Sequence, residues 1–131
     1  LLPGKLFREV RLLGLVEAGF PSPAEEELVD TMSLDDFLVD KPEATFLLRV
    51  KGDSMKDAGI VEGDLVIVER ASSAKVGDIV IADVDGESTM KYLRKRGRNF
   101  YLQAANDAYN DIYPEDDMKI EAVVRGVIRK Y

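Results

Sequence analysis

The chain has 131 residues, 46% of them hydrophobic and 33% charged, with a formal net charge of −7. It contains no Cys, His or Trp, which excludes disulfide scaffolds, thiol nucleophiles, Ser-His-Asp triads and metal held by His or Cys. The length suits one globular domain, and the acidic balance argues against direct nucleic-acid binding.

The elements follow in chain order. Residues 1–32 read as an N-terminal arm punctuated by Pro3, Gly4, Gly14, Gly19, Pro21 and Pro23. Within it, Leu12 to Pro21 is apolar but has no helical rhythm, and Pro21 biases Phe20 toward extended geometry. An extended segment with small residues at its centre is one that a protein groove can hold. It also suits an arm packed on a core or paired as an edge strand. Ser33 to Val39 predicts a short helix, with Ser33 at the N-cap, Asp35 and Asp36 in the first turn and Pro42 as the stop.

From Ala44 onward the pattern is β. Thr45–Val50, Asp64–Val68, Asp78–Val84, Ser88–Leu93, Phe100–Leu102 and Ile120–Ile128 are short runs rich in Val, Ile and Leu, separated by turn signals. Asp85-Gly86 predicts a hairpin turn. Together these predict a mainly β fold over residues 33–131, a compact and strongly bent β domain with short helices. Arg94, Lys95, Arg96 and Arg98 read as a solvated hairpin end. Asp111, Glu115, Asp116 and Asp117 surround Pro114 in an acidic loop without calcium-loop spacing. Val123, Val124 and Val127 suit either a core or a surface that pairs two copies. No apolar run approaches the roughly 20 residues needed to span a bilayer, and the first residues lack a signal-peptide layout. The expectation is a cytoplasmic protein with no membrane partner, no metal and no cofactor.

With His and Cys absent, nucleophiles must come from hydroxyls, lysines or carboxylates, and a serine must find its base among Asp, Glu or a neutral Lys. Gly52-Asp53-Ser54-Met55 follows a predicted strand, and Gly52 permits a sharp turn that exposes Ser54 beside backbone N–H groups. A lysine base must be buried. At the ordinary pKa of about 10.4 only about one molecule in a few thousand is neutral near pH 7, and lowering it by about three units costs roughly 4 kcal/mol of stability. Lys91 lies inside an apolar strand, sharing a face with Thr89 and Leu93. Lys51, Lys56, Lys75 and Lys95 sit in polar or turn settings.

These residues, with Gly59-Ile60-Val61-Glu62-Gly63-Asp64-Leu65, Gly77-Asp78-Ile79-Val80 and Thr89-Met90-Lys91, resemble the self-cleaving Ser-Lys proteins of the bacterial SOS response. That family comprises LexA-type repressors and the UmuD subunits of an error-prone DNA polymerase. Ser54 precedes Lys91 by 37 residues, the family's interval, and Ala18-Gly19, the counterpart of its scissile pair, lies 36 residues before Ser54. The flank from Glu17 to Ala24 is particularly like UmuD. Met90 stands where many relatives have Val, and Glu17 adds a charge beside the scissile bond.

The resemblance implies that Ser54 attacks the carbonyl of Ala18 while neutral Lys91 accepts its proton. It implies an oxyanion hole from the N–H groups of Asp53 and Ser54, and a subsite filled by Val16. It further implies a homodimer, activation by the RecA filament on single-stranded DNA, and a processed product acting with an error-prone polymerase catalytic subunit. One alternative is the C-terminal self-cleaving domain of a LexA- or phage-type repressor whose DNA-binding domain precedes Leu1. Two others are a signal-peptidase-like enzyme acting in trans and a non-enzymatic dimerisation domain.

Overall fold

The computed structural model describes residues 9–19, 30–115 and 117–131. Pro3, Gly4, Asp116 and the flank from Phe20 to Ala24 lie outside the described residues. The chain divides into two compact units, Leu1–Asp40 and Lys41–Tyr131.

In the first unit, β1 (Glu9–Leu12) pairs antiparallel with β2 (Asp30–Ser33), and a single-turn helix, α1 (Leu34–Leu38), follows directly. The two strands were not predicted: Asp30-Thr31-Met32-Ser33 is too short and polar to carry a strand pattern. The helix falls where expected, but Ser33 does not cap it through its side chain. Ser33 is also the last residue of β2, held opposite Glu9 in extended geometry. The backbone of Val39 closes the helix on Asp35 O at 2.9 Å. Leu13 to Gly19 has no regular structure.

The second unit is a six-stranded antiparallel sheet. Its strands are β3 (Thr45–Arg49), β4 (Leu65–Arg70), β5 (Ile79–Val84), β6 (Glu87–Arg96), β7 (Asn99–Gln103) and β8 (Met118–Ile128), in the spatial order β3-β4-β8-β5-β6-β7. Every strand predicted from composition is present, and the mainly β expectation holds. The C-terminal strand is inserted between β4 and β5, so it carries the centre of the sheet. Its pairing shifts register against β4 at Ile67/Val68 and against β5 at Ile81/Ala82. Such irregularities increase local twist and bend a sheet.

Local chemistry explains most of the elements. β4 is buried on both faces at Val66, Ile67 and Val68, which is why it reads as a continuous apolar run and not as an alternating one. Asp85 and Gly86 both have positive φ, 50° and 91°, the backbone of a tight hairpin turn whose twist matches the flanking strands. Asp83 accepts the Gly86 N–H at 2.9 Å and secures that turn. Two hydrophobic clusters form. One contains Val50, Met55, Ile60, Val66, Val68, Ala105 and Ala122; the other contains Val80, Ala82, Leu93, Leu102 and Val123. Val123 and Val124 are adjacent on β8, point to opposite faces and pack against different clusters. They are core residues, so of the three valines considered as a pairing surface Val127 alone is exposed. The basic cluster caps the β6–β7 hairpin, its cations lying over Tyr92, Phe100, Tyr101 and Tyr113. Among the described residues no helix is long and apolar enough to cross a membrane.

One ion pair with a buried carboxylate ties the end of β8 to the Gly59–Asp64 segment that follows the Ser54 turn. Asp64 is 2% exposed and immediately precedes β4; Arg129 immediately follows β8. The guanidinium donates Nε–H to Asp64 Oδ1 at 2.8 Å and Nη2–H to Oδ2 at 2.7 Å, and also to Gly59 O at 2.8 Å. Asp64 Oδ2 accepts the Val61 N–H at 2.9 Å. These hydrogen bonds hold the Asp64 carboxyl at a pKa of about 2, below its ordinary 3.8, led by the one from Arg129. The stabilisation is therefore present above the unfolded pKa and is lost as pH falls through about 2. Replacing Arg129 by Gln leaves a buried carboxylate without its cation. Urea titrations from pH 6 to 2 are expected to show a lower midpoint for Arg129→Gln at pH 6, with the gap to the parent chain narrowing as pH falls toward 2, because only the parent has a depressed carboxyl pKa whose stabilisation acid removes. A gap that stays constant across this range would show that the pair is not coupled to folding.

Candidate active site

The Ser54 turn leaves β3 and is held at several points. Gly52 has φ of 83°, which a side chain rarely allows. Its N–H donates to the Glu62 carboxylate at 3.0 Å. Met55, 1% exposed, anchors the next residue in the core, and a 3-10 turn over Lys56–Ala58 follows. Ser54 is thus suspended between a core anchor and the exposed Asp53, partly accessible itself.

Lys91 comes from the middle of β6. It is opposite Val80 of β5, which is in turn opposite Val123 of β8. Cross-strand partners share a face, so the lysine stem stands in a row with two buried valines and is itself 7% exposed. On its other side, β6 pairing with β7 begins only at Tyr92 opposite Gln103. Beyond Gln103 the chain leaves the sheet and runs to the Ser54 turn.

The two side chains meet. Lys91 Nζ–H donates to Ser54 Oγ at 3.1 Å and to Thr89 Oγ1 at 2.7 Å. Burial lowers the lysine pKa from its ordinary 10.5, because an ammonium in this setting loses its water shell. The separation is within reach for direct proton transfer between a hydroxyl and an amine. Thr89 was placed on the Lys91 face by strand alternation, but its contact with the amine was not anticipated. The only sequence signal was the two-residue spacing.

Asp53 lies beside Ser54. Among the described residues no acceptor bonds the N–H of either Asp53 or Ser54. Two residues absent from the sequence reading grip this peptide from the β7–β8 loop. Asn106 Nδ2–H donates to Asp53 O at 2.9 Å, and Tyr109 O–H donates to Asp53 Oδ1 at 2.6 Å. The neighbouring carboxylate raises the Tyr109 pKa above its ordinary value, chiefly through that hydrogen bond. Neither residue lies in a motif; an Asn and a Tyr in a polar loop look like turn chemistry. Val16, Ala18 and Gly19 belong to the first unit, and Val16 is exposed there. Gly19 has φ of 119°.

The second unit is an open antiparallel β domain that places a serine on a strand-end turn against a desolvated lysine. Residues 11–125 match the Peptidase S24-like family. The chain is 43% identical over 121 residues to the LexA repressor of Shewanella loihica, a match covering 90% of this chain and 58% of that protein. It is 43% identical over 113 residues to Protein SamA of Salmonella typhimurium, covering 86% of this chain and 79% of SamA. The LexA repressor of Shewanella woodyi is 42% identical over 121 residues, with the same coverage as the first. The chain spans a little over half the length of these repressors. It belongs to the Peptidase S24-like family, and the LexA/UmuD resemblance read from its motifs agrees with that membership.

A lysine whose pKa is lowered by folding makes the folded state bind fewer protons than the unfolded one. Stability then rises with pH until the unfolded lysine also deprotonates, near about 10.4. Urea unfolding at pH 7, 8.5 and 10 is expected to show the parent gaining on Lys91→Met as pH rises, with both chains carrying Ser54→Ala to keep them whole. A pH-independent difference would mean that Lys91 is not desolvated.

Proposed function

We propose that the chain is a self-cleaving serine peptidase that cuts between Ala18 and Gly19. The observation that carries this reading is the buried Lys91 amine 3.1 Å from Ser54 Oγ. Ser54 Oγ attacks the Ala18 carbonyl carbon and its proton passes to neutral Lys91 Nζ. The oxyanion is received by the N–H groups of Asp53 and Ser54. Collapse breaks the Ala18–Gly19 bond, and the Gly19 nitrogen leaves with the proton from Lys91. Water then attacks the Ala18 ester on Ser54, giving one proton to Lys91, which returns it to Ser54 Oγ. The products are residues 1–18 and 19–131.

The small Ala18 and side-chain-free Gly19 let the peptide bend into a cleft, with Val16 filling an apolar subsite. Because the substrate is attached to its enzyme, weak docking suffices. Control then lies in how often the arm docks, and a partner that favours the docked form accelerates cutting by population shift. In this reading that partner is the RecA filament, the chain acts as a cytoplasmic homodimer, and the processed form serves an error-prone polymerase in the UmuD manner. The match to SamA over 79% of that protein supports this choice. The LexA matches at 40–43% identity support a second reading, in which the same chemistry inactivates a transcriptional repressor. The native coding sequence upstream of Leu1 separates the two: about 20 or fewer residues fits the first reading, whereas about 70 or more leaves room for a DNA-binding domain.

Intact mass after incubation without RecA from pH 7 to 10 tests the chemistry. Cleavage into residues 1–18 and 19–131 is expected to accelerate with pH as Lys91 loses its proton, then level off. Ser54→Ala is expected to remain whole, and Lys91→Ala to slow by about 10²–10⁴-fold, both retaining the parent's circular dichroism. A flat rate across this range, or normal cutting by either variant, would overturn the pairing of nucleophile and base.

A further inference from the structure

We infer that Asn106 is a positioning residue that orients the oxyanion-binding peptide of Ser54. The inference rests on the self-cleaving reading above and assigns a role to the β7–β8 loop within it. The carbonyl of Asp53 and the N–H of Ser54 belong to one planar peptide unit. Fixing the direction of the carbonyl therefore fixes the direction of the N–H on its opposite side. Asn106 Nδ2–H donates to that carbonyl at 2.9 Å, and the Lys56 N–H donates to it at 3.2 Å. The peptide's oxygen is thus bonded twice, while its N–H has no partner among the described residues. A donor held in place but unused is what an oxyanion site requires, since preorganised dipoles need no rearrangement when charge develops. Hydrogen bonding at the carbonyl also polarises the peptide and strengthens its N–H as a donor.

Asn106 is built to stay where it is. It is 6% exposed, and its Oδ1 accepts the Ala108 N–H at 3.0 Å, which fixes the amide's orientation. The loop is tied to the nucleophile turn at two further points. Tyr109 O–H donates to Asp53 Oδ1 at 2.6 Å, and Asp57 N–H donates to Ala105 O at 2.8 Å. Lys91 makes no contact with Asn106 among its hydrogen bonds, which go to Ser54 and Thr89. Proton transfer and oxyanion orientation are therefore held by separate parts of the fold, and loss of Asn106 should lower the rate without moving the lysine's titration.

Two variants of the full chain test this. Asn106→Ala removes the side-chain donor. Asn106→Asp keeps the shape and the acceptor for Ala108 but cannot donate when ionised, so it tests the role even if the alanine variant fails to fold. The first-order self-cleavage rate is measured against pH, and Ser54 is separately labelled with a small fluorophosphonate, whose phosphoryl oxygen needs the same N–H groups but no docked arm. Removal of one oxyanion donor typically costs about 10²–10³ in rate, so its misalignment is expected to cost on the order of tenfold or more. Both the alkaline plateau and the labelling rate are expected to fall by that factor in both variants, with the midpoint of the Asn106→Ala profile unchanged. Plateau and labelling rates equal to the parent's would overturn the assignment. So would a plateau that falls while labelling does not, since that would locate the defect in arm docking. A parent chain that never cuts, and whose Ser54 is never labelled, would instead overturn the peptidase reading on which the assignment rests.

Discussion

Burying an amine lowers its proton affinity by stripping its water shell, and in the second unit the neighbouring strands supply that burial for Lys91. Lys91 is desolvated in part by the buried residue directly opposite it on β5. That residue is Val80, and Val80 is buried because β8 lies on its far side with Val123 in the same row. The C-terminal strand, which never touches Ser54 through a hydrogen bond, is thus part of what lowers the lysine's proton affinity. An ammonium left in such a place would be destabilising, and the protein tolerates it through two hydroxyl partners, Ser54 and Thr89.

The nucleophile side is organised differently. Ser54 stands on a turn, and turns are mobile unless they are held. Here Met55 fixes the turn from below, Glu62 from before it, and the β7–β8 loop from beside it. Asp64 and Arg129 then fasten the Gly59–Asp64 segment to the end of β8. The two halves of the site are consequently both referred to β8, one through the sheet and the other through an ion pair. Under the proposed self-cleavage, a nucleophile turn held in this way leaves docking of the arm as the step open to control.

Much of the fold was legible. Alternating and continuous apolar runs marked all six strands of the sheet, and Asp85-Gly86 marked the hairpin, because these depend on local backbone preference and burial of adjacent residues. The short polar strand Asp30–Ser33 was not legible, since its pairing with Glu9–Leu12 leaves no apolar period. Ser33 was correctly placed at the N-cap, although its side chain makes no capping bond. Val123 and Val124 could be read as surface or core until the position of β8 between two strands decided it.

The residues of the site divide in the same way. That Ser54 has no His or Cys to serve it, that Gly52 gives it a sharp turn, and that Lys91 sits in an apolar run are consequences of residue type and near neighbours, so the chain alone determined them. That the Lys91 amine lies 3.1 Å from Ser54, that Thr89 shares it, and that Asn106 and Tyr109 reach Asp53 across more than fifty residues of chain were decided by tertiary structure. The physical reason is that hydrogen bonds between distant segments depend on strand order and register. No local pattern records that β8 lies between β4 and β5, or that the chain leaves the sheet at Gln103 on its way to the serine.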